Sequence, residues 1–201
     1  MIIVPTGGNG VAIILVEMAG IISRSLICAG LALSALTAAT PPRPSPPLTI
    51  KLAGGGALQL LSYRGKPVVL VFVSTTCPHC KVLTEELVPM AKEYGSRAQF
   101  LECAVNDSAE KDLPGFIQQF QPSFPVGFTD QLMVNEYLQR SIAQVFYVPH
   151  IVLLDRGGVI QGDYPGDSEF VKNGPANIRA ELEKMLKPPA APAKKSAPKK
   201  K

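Results

Sequence analysis

Two cysteines separated by two residues, Cys77-Pro78-His79-Cys80, carry the chemistry most readily read from this chain. They lie between a β-branched apolar run, 68–73, and a stretch with helical periodicity. A thiol at a helix N-terminus faces unpaired N–H groups and a partial positive charge, which stabilise the nucleophilic thiolate. With two residues intervening, the second thiol comes one turn later, where it can resolve a mixed disulfide formed at the first. Pro78 suits the first helical turn because its missing N–H would have no partner there, and a protonated His79 would add positive charge beside the first thiol. The redox-active group is then the Cys77–Cys80 pair itself, with no dissociable cofactor. A structural disulfide and half of a zinc site are the competing readings. Zinc would want a second ligand pair, and His79 and His150 are the only histidines in the chain.

The elements that must hold this motif follow from hydrophobic patterning. Residues 49–52 and 57–61 flank Gly54-Gly55-Gly56 and predict a hairpin. The run 68–73 is continuous rather than alternating, as in a strand buried on both faces. After Cys80, Leu83, Leu87, Met90, Ala91 and Tyr94 recur at helical spacing, with Pro89 expected to kink the helix or end it early. A strand over 98–105, a helix over 113–120 and a short helix including 134–138 follow. Pro149 then introduces a hairpin of 151–154 and 159–160 around Gly157-Gly158, and an amphipathic helix over 178–186 closes the pattern. Strands alternating with helices predict an α/β fold, a central mixed sheet flanked by helices in three layers. There is no Gly-rich phosphate loop, no Gly-x-Ser-x-Gly elbow and no second Cys-x-x-Cys.

The chain of 201 residues has room for one ordinary domain and its extensions. From Met18 it reads as an export signal: Arg24, an apolar stretch 26–36, then Thr37-Ala38-Ala39. Translation is expected to start at Met18, with residues 1–39 removed as a signal. The alternative is an uncleaved anchor, for which the apolar run 25–39 is short of the ~20 residues of a spanning helix. Five prolines within 41–47 predict a stiff spacer over 40–47, ahead of a domain over 48–187. The tail 188–201 is rich in Lys, Pro and Ala, cannot bury a core and is expected to be disordered. Its five lysines exceed the formal charge of +4, so the remainder sums to −1 and the domain is near neutral. An oxidising compartment suits disulfide chemistry, and Cys28 would leave with the signal.

The stretch 58–80, with Tyr63-Arg64-Gly65-Lys66-Pro67 leading into the apolar run and the cysteines, resembles the TlpA/ResA group of thioredoxin-like proteins. The likeness extends to Val148-Pro149 and the hairpin 151–160 and covers most of 48–187. It implies a thioredoxin-like fold and a cis-proline at Pro149, where Val148 helps bind the substrate backbone. Cys-Pro-His-Cys itself resembles the dithiol oxidases of the DsbA type, which also place Val before that proline, although their inserted helical domain has no room here. Where thioredoxin has a buried acid, six residues before the first cysteine, this chain has Val71; its usual Trp is Thr76. Proton transfer therefore needs another group, for which Glu85 and Glu102 are candidates, each with a solvated carboxylate as the alternative. Cys103 reads as a small buried hydrophobe rather than a third redox thiol, and His150 as a structural or solvent-facing side chain.

The leading expectation is an exported thiol–disulfide oxidoreductase of a bacterial periplasm or cell envelope, with its direction open. Its substrates would be protein thiols and disulfides, with a further redox partner and no nucleic acid. Membrane association could come through an uncleaved N-terminus or the basic tail. The competing function is a copper-binding and delivery module using Cys77, Cys80 and His150.

Overall fold

The computed structural model describes residues 40–187. The expected signal segment 1–39, with its start at Met18, and the tail 188–201 lie outside the described residues. Strands are β1 (Arg43–Pro44), β2 (Thr49–Leu52), β3 (Ala57–Gln59), β4 (Val68–Val73), β5 (Gln99–Ala104), β6 (Val126–Phe128), β7 (His150–Leu154) and β8 (Val159–Tyr164). Helices are α1 (Pro78–Tyr94), α2 (Ala109–Phe120), α3 (Gln131–Leu138), α4 (Glu169–Lys172) and α5 (Gly174–Leu186). The strands form one mixed sheet in the order β1-β8-β7-β4-β5-β6-β2-β3. β4, β5 and β6 run parallel, and β7 returns antiparallel beside β4. The α/β fold with a helix-flanked mixed sheet is the expected one.

β4 is buried at all six positions because it lies mid-sheet with a core on each face. Val69, Val71 and Val73 join Leu83, Leu87, Met90, Phe116 and Ile178 on one face, while Val68, Leu70 and Phe72 join Leu48, Leu60, Val134 and Tyr137 on the other. The continuous apolar run is thus two interleaved faces of a period-two strand.

Four expectations need correction. Pro89 does not end α1, which runs on to Tyr94: Leu87, Met90 and Tyr94 are buried on either side of it, and this packing offsets the backbone bond that proline cannot make. Gly95, at φ +53°, ends the helix, its N–H bonding the Ala91 carbonyl. The second strand of the first hairpin stops at Gln59, where a 3₁₀ turn over Leu60–Tyr63 tucks Leu60 into the core. The expected spacer 40–47 is built into the domain. Arg43–Pro44 pairs with β8, Ser45 N–H bonds the Gly158 carbonyl, and Arg43 and Ser45 are buried. Finally, β6 was not predicted. It has only three residues, and Gly127 lies so close to β2 that a Cβ there would collide with the Lys51 carbonyl oxygen.

Candidate functional site

β4 delivers the chain from the middle of the sheet into a tight turn, Ser74–Thr76, and the turn into α1. Cys77 N–H bonds the Ser74 carbonyl at 3.1 Å, and Cys77 is the N-cap of α1. Its Sγ accepts from the Cys80 N–H at 3.4 Å, as a capping oxygen would. Pro78 occupies the first turn without wasting a donor. Cys77 is half-buried, whereas Cys80 is fully buried; both are free thiols, as is Cys103. Pro78 and His79 are exposed on the rim.

The turn is pinned from the side by residues that sequence reading missed. Asn106 Oδ1 accepts from Thr75 N–H at 3.0 Å, and Thr75 Oγ1 donates to Asp112 at 3.1 Å. The bond from Ser108 holds the Asp112 carboxyl below its ordinary range against the opposing effect of burial, with further help from the Thr75 bond and the Lys111 charge. Thr75 stands two residues before the cysteine, but its partners come after β5, and nothing local announces them.

The Val148–Pro149 peptide is cis. The Val148 carbonyl oxygen lies 3.9 Å from Cys77 Sγ, which brings Val148, Pro149 and the first cysteine together. Behind them passes the loop after β8: Gly166 N–H bonds the Tyr147 carbonyl, and a Cβ at Gly166 would stand 3.0 Å from the Val148 carbonyl carbon and oxygen. A groove of about 420 Å³ opens here, walled by His79, Val82, Val148, Pro149, Gly166 and Lys172.

Beneath α1 lies Glu102, 1% exposed, in parallel register with Val71. It shares its strand face with Phe100 and Ala104, the face that α1 covers. Thr84 Oγ1 is 2.9 Å from the Cys80 carbonyl oxygen and 2.8 Å from Glu102 Oε1. A hydroxyl has one proton to donate, and both a carbonyl and an ionised carboxylate only accept. A proton on Glu102 completes the set, since the acid then donates to Thr84 and Thr84 to Cys80. Burial works the same way and, against the opposing bond from Thr84, raises Glu102 to about 8. Burial also pushes the Cys80 thiol well above the ordinary thiol range; the Ser74 backbone opposes this, while Cys77 and the Glu102 charge add to it. Glu85, the other expected proton-transfer candidate, is exposed on the outer face of α1 and is not brought to the cysteines.

Cys103 projects into the opposite core with Leu101 and is fully buried, its thiol also raised by burial. His150 is 4% exposed, and its Nε2 lies 2.6 Å from Asp163 Oδ1. Arg43 donates to Asp163 at 3.0 Å and reaches the Tyr137 and Leu138 carbonyls at the end of α3. Burial would raise Asp163, but these two partners hold it below the usual carboxylate range. Among the described residues no three His, Cys, Asp or Glu side chains converge as a metal site, so the expected copper ligand set of Cys77, Cys80 and His150 is not assembled. The imidazole is committed to Asp163 instead.

The thioredoxin-like domain family model matches residues 56–172. No curated protein matches the chain. Several solved structures share the fold. A thiol:disulfide interchange protein of Chlorobium tepidum superposes with a TM-score of 0.61 at 18% identity, covering 75% of this chain and 100% of its own. The thioredoxin domain of a thiol-disulfide oxidoreductase from Bacteroides vulgatus gives 0.59 at 20% identity, covering 74% and 99%. A hypothetical protein from Sinorhizobium meliloti gives 0.61 at 18%, covering 75% and 86%.

Proposed function

The chain belongs to the thioredoxin-like domain family, and on that premise we propose that it is an exported thiol–disulfide oxidoreductase acting on protein thiols and disulfides through Cys77 and Cys80. The observation that carries this reading is the asymmetry of the pair. Cys77 is half-buried at the N-cap of α1 beside an open groove, and Cys80 is sealed one turn behind it with its N–H on the Cys77 sulfur. One thiol can meet a macromolecule; the other can meet only the first. The oxidoreductases among the structural neighbours support the same class of chemistry.

In the reducing direction the Cys77 thiolate attacks one sulfur of a substrate disulfide, forming a mixed disulfide and releasing the other sulfur as a thiolate that takes up a proton. Cys80 then loses its proton, its sulfur attacks Cys77 Sγ, and the second substrate sulfur leaves as a thiolate. The substrate gains two electrons and the protein holds the Cys77–Cys80 disulfide. The oxidising direction is the same path reversed. A substrate segment lying in the groove along Val148 and Pro149 brings its sulfur to Cys77. Because burial makes the Cys80 thiol a weak acid, its deprotonation needs an internal base. Glu102 fills that role when ionised, at the far side of Thr84. With a value of about 8, roughly a tenth of the molecules carry it ionised at pH 7, so the resolving step accelerates as pH rises toward 8. Export to a bacterial periplasm or cell envelope follows from the sequence reading of residues 18–39.

Equilibration of the protein with glutathione buffers, read by thiol trapping, tests the reading and fixes its direction. A value near ~−120 mV marks a disulfide donor and one near ~−270 mV a reductase. Cys80→Ser should accumulate a mixed disulfide with a substrate peptide, and Cys77→Ser should form none. A pair that never equilibrates with glutathione would remove the proposal.

A further inference from the structure

His150 takes no part in the steps above, yet it opens β7 directly after Val148-Pro149, the pair that faces Cys77. Between the Val148 carbonyl and the His150 Cα the chain has little freedom. Both peptide units are planar and the Pro149 ring fixes φ, which leaves Pro149 ψ as the one soft torsion. Where His150 is held, the Val148 carbonyl is held with it.

Three contacts hold the His150 ring. Its Nε2 donates to Asp163 Oδ1 at 2.6 Å, because a carboxylate only accepts, and Arg43 of β1 fixes the other Asp163 oxygen at 3.0 Å. Its face stacks on Phe146, with ring centroids 5.4 Å apart and planes inclined by 26°. Phe72 of β4, the register partner of His150, meets the ring edge-on at 6.3 Å. Nδ1 has no partner among the described residues, so the Asp163 bond is the ring's single polar anchor. That anchor ties His150 to β8 where the backbone does not, since the β7–β8 pairing stops at Ile151 and Tyr164 and the next residue, Pro165, has no N–H. Phe146 and His150 are also the two ends of a loop with Val148 at its centre. The stack closes that loop at its base. Phe72 belongs to the core on the sheet face away from α1, so His150 acts on the site through the loop and not by touching the cysteines.

We propose that His150 is a positioning residue for the exchange reaction: by gripping Phe146 and Asp163 at once, it fixes the Val148 carbonyl beside Cys77 and sets where a substrate polypeptide lies relative to the attacking sulfur. The role rests on the proposed exchange activity. Its consequence is selective. A loosened loop weakens the placement of a peptide along Val148, whereas attack on a disulfide too small to use the loop proceeds as before.

The test mixes the reduced full chain, carrying Cys28→Ser throughout, with two probes that share a leaving group: a cysteine peptide and mercaptoethanol, each with a thiopyridyl group on its sulfur. The Cys77 thiolate attacks the peptide or mercaptoethanol sulfur and forms a mixed disulfide. The thiopyridyl sulfur leaves with the electron pair of the broken bond and takes up a proton, giving pyridinethione, whose absorbance is read. The ratio of the two second-order rate constants cancels any change in the thiol itself. Without further substitution the protein should favour the peptide. His150→Leu should cut that preference on the order of tenfold, within the ~100-fold that a displacement of about 1 Å can cost. His150→Gln, whose amide N–H can donate to Asp163 as Nε2–H does, should recover part of it. Phe146→Leu breaks the stack but leaves the Arg43–Asp163–His150 bonds in place, so it carries the test if His150→Leu does not fold, and it should show the same selective loss. Folded variants with a lowered melting temperature but an unchanged ratio would mark a merely structural role and overturn the proposal, as would a Gln variant no better than Leu. A protein that reacts with both probes without favouring the peptide overturns it too, whereas one inert toward both removes the exchange activity and this role together.

Discussion

Replacing Glu102 by Gln isolates the buried acid. The amide nitrogen of Gln can donate to Thr84 Oγ1 as the protonated acid does, so the variant copies the neutral form and cannot ionise. In the folded protein the carboxyl is raised to about 8, against an ordinary 4.5. The native state therefore binds the proton more tightly than the unfolded chain, and native stability falls as pH rises from about 4.5 to about 8 and is level beyond. Linkage puts the cost at about 3 kcal/mol at pH 7 and about 5 kcal/mol at pH 9, as orders of magnitude. Glu102→Gln should remove that slope, so that it matches wild type near pH 4.5 and exceeds it increasingly toward pH 8. Denaturant titrations under reducing conditions, followed by far-ultraviolet circular dichroism because the chain has no Trp, would measure both proteins at each pH. Taking the difference cancels every other titrating group. The same variant should slow release of the mixed disulfide, since its amide accepts no proton. A difference in stability that does not change between pH 5 and 8 would refute both the buried-acid reading and the donor count at Thr84.

Gly166→Ala would set a methyl against the Val148 carbonyl. It should raise KM for a peptide disulfide several-fold while costing roughly 1 kcal/mol of stability, read by steady-state kinetics and thermal melting together. Arg43→Met would leave Asp163 paired with His150 alone and free the α3 carbonyls. Breaking a buried ion pair on one side costs about 3–5 kcal/mol, so the melting temperature should fall sharply, although Arg43 lies in a stretch whose prolines read as a spacer.

What could be read in the sequence is what local patterning fixes. The run 68–73, the spacing of Leu83, Leu87, Met90 and Tyr94, and the cysteines at the strand–helix junction all report on neighbours within a few residues. Glu85 and Glu102 mark the limit. Glu85 is near the motif in sequence and Glu102 in space, and helical phase disposes of the first: Cys80, Leu83, Thr84 and Leu87 point inward, which turns position 85 outward. For Glu102 the signal was present, an acid in phase with Phe100 and Ala104 on an apolar strand, but its register opposite Val71 depends on a parallel pairing across a helical crossover. Arg43 gave no signal at all, because Asp163 lies 120 residues away. Short β6 was hidden by its length, and Pro89 misled because the tertiary packing of α1 outweighs one lost backbone bond.

The pairing of Arg43–Pro44 with β8 also sets the length of a leash. An eight-residue stretch free over 40–47 would span up to about 28 Å, but with the chain fixed from Arg43 only three residues, 40–42, can pay out, about 10 Å. If residue 39 stays attached to a membrane, the domain is held almost against its attachment point, with little freedom to swing. The cysteine pair would then serve partners that come to it at a restricted height, and lengthening the segment before Arg43 with Gly-Ser repeats should widen the range of disulfides it reaches without altering its chemistry.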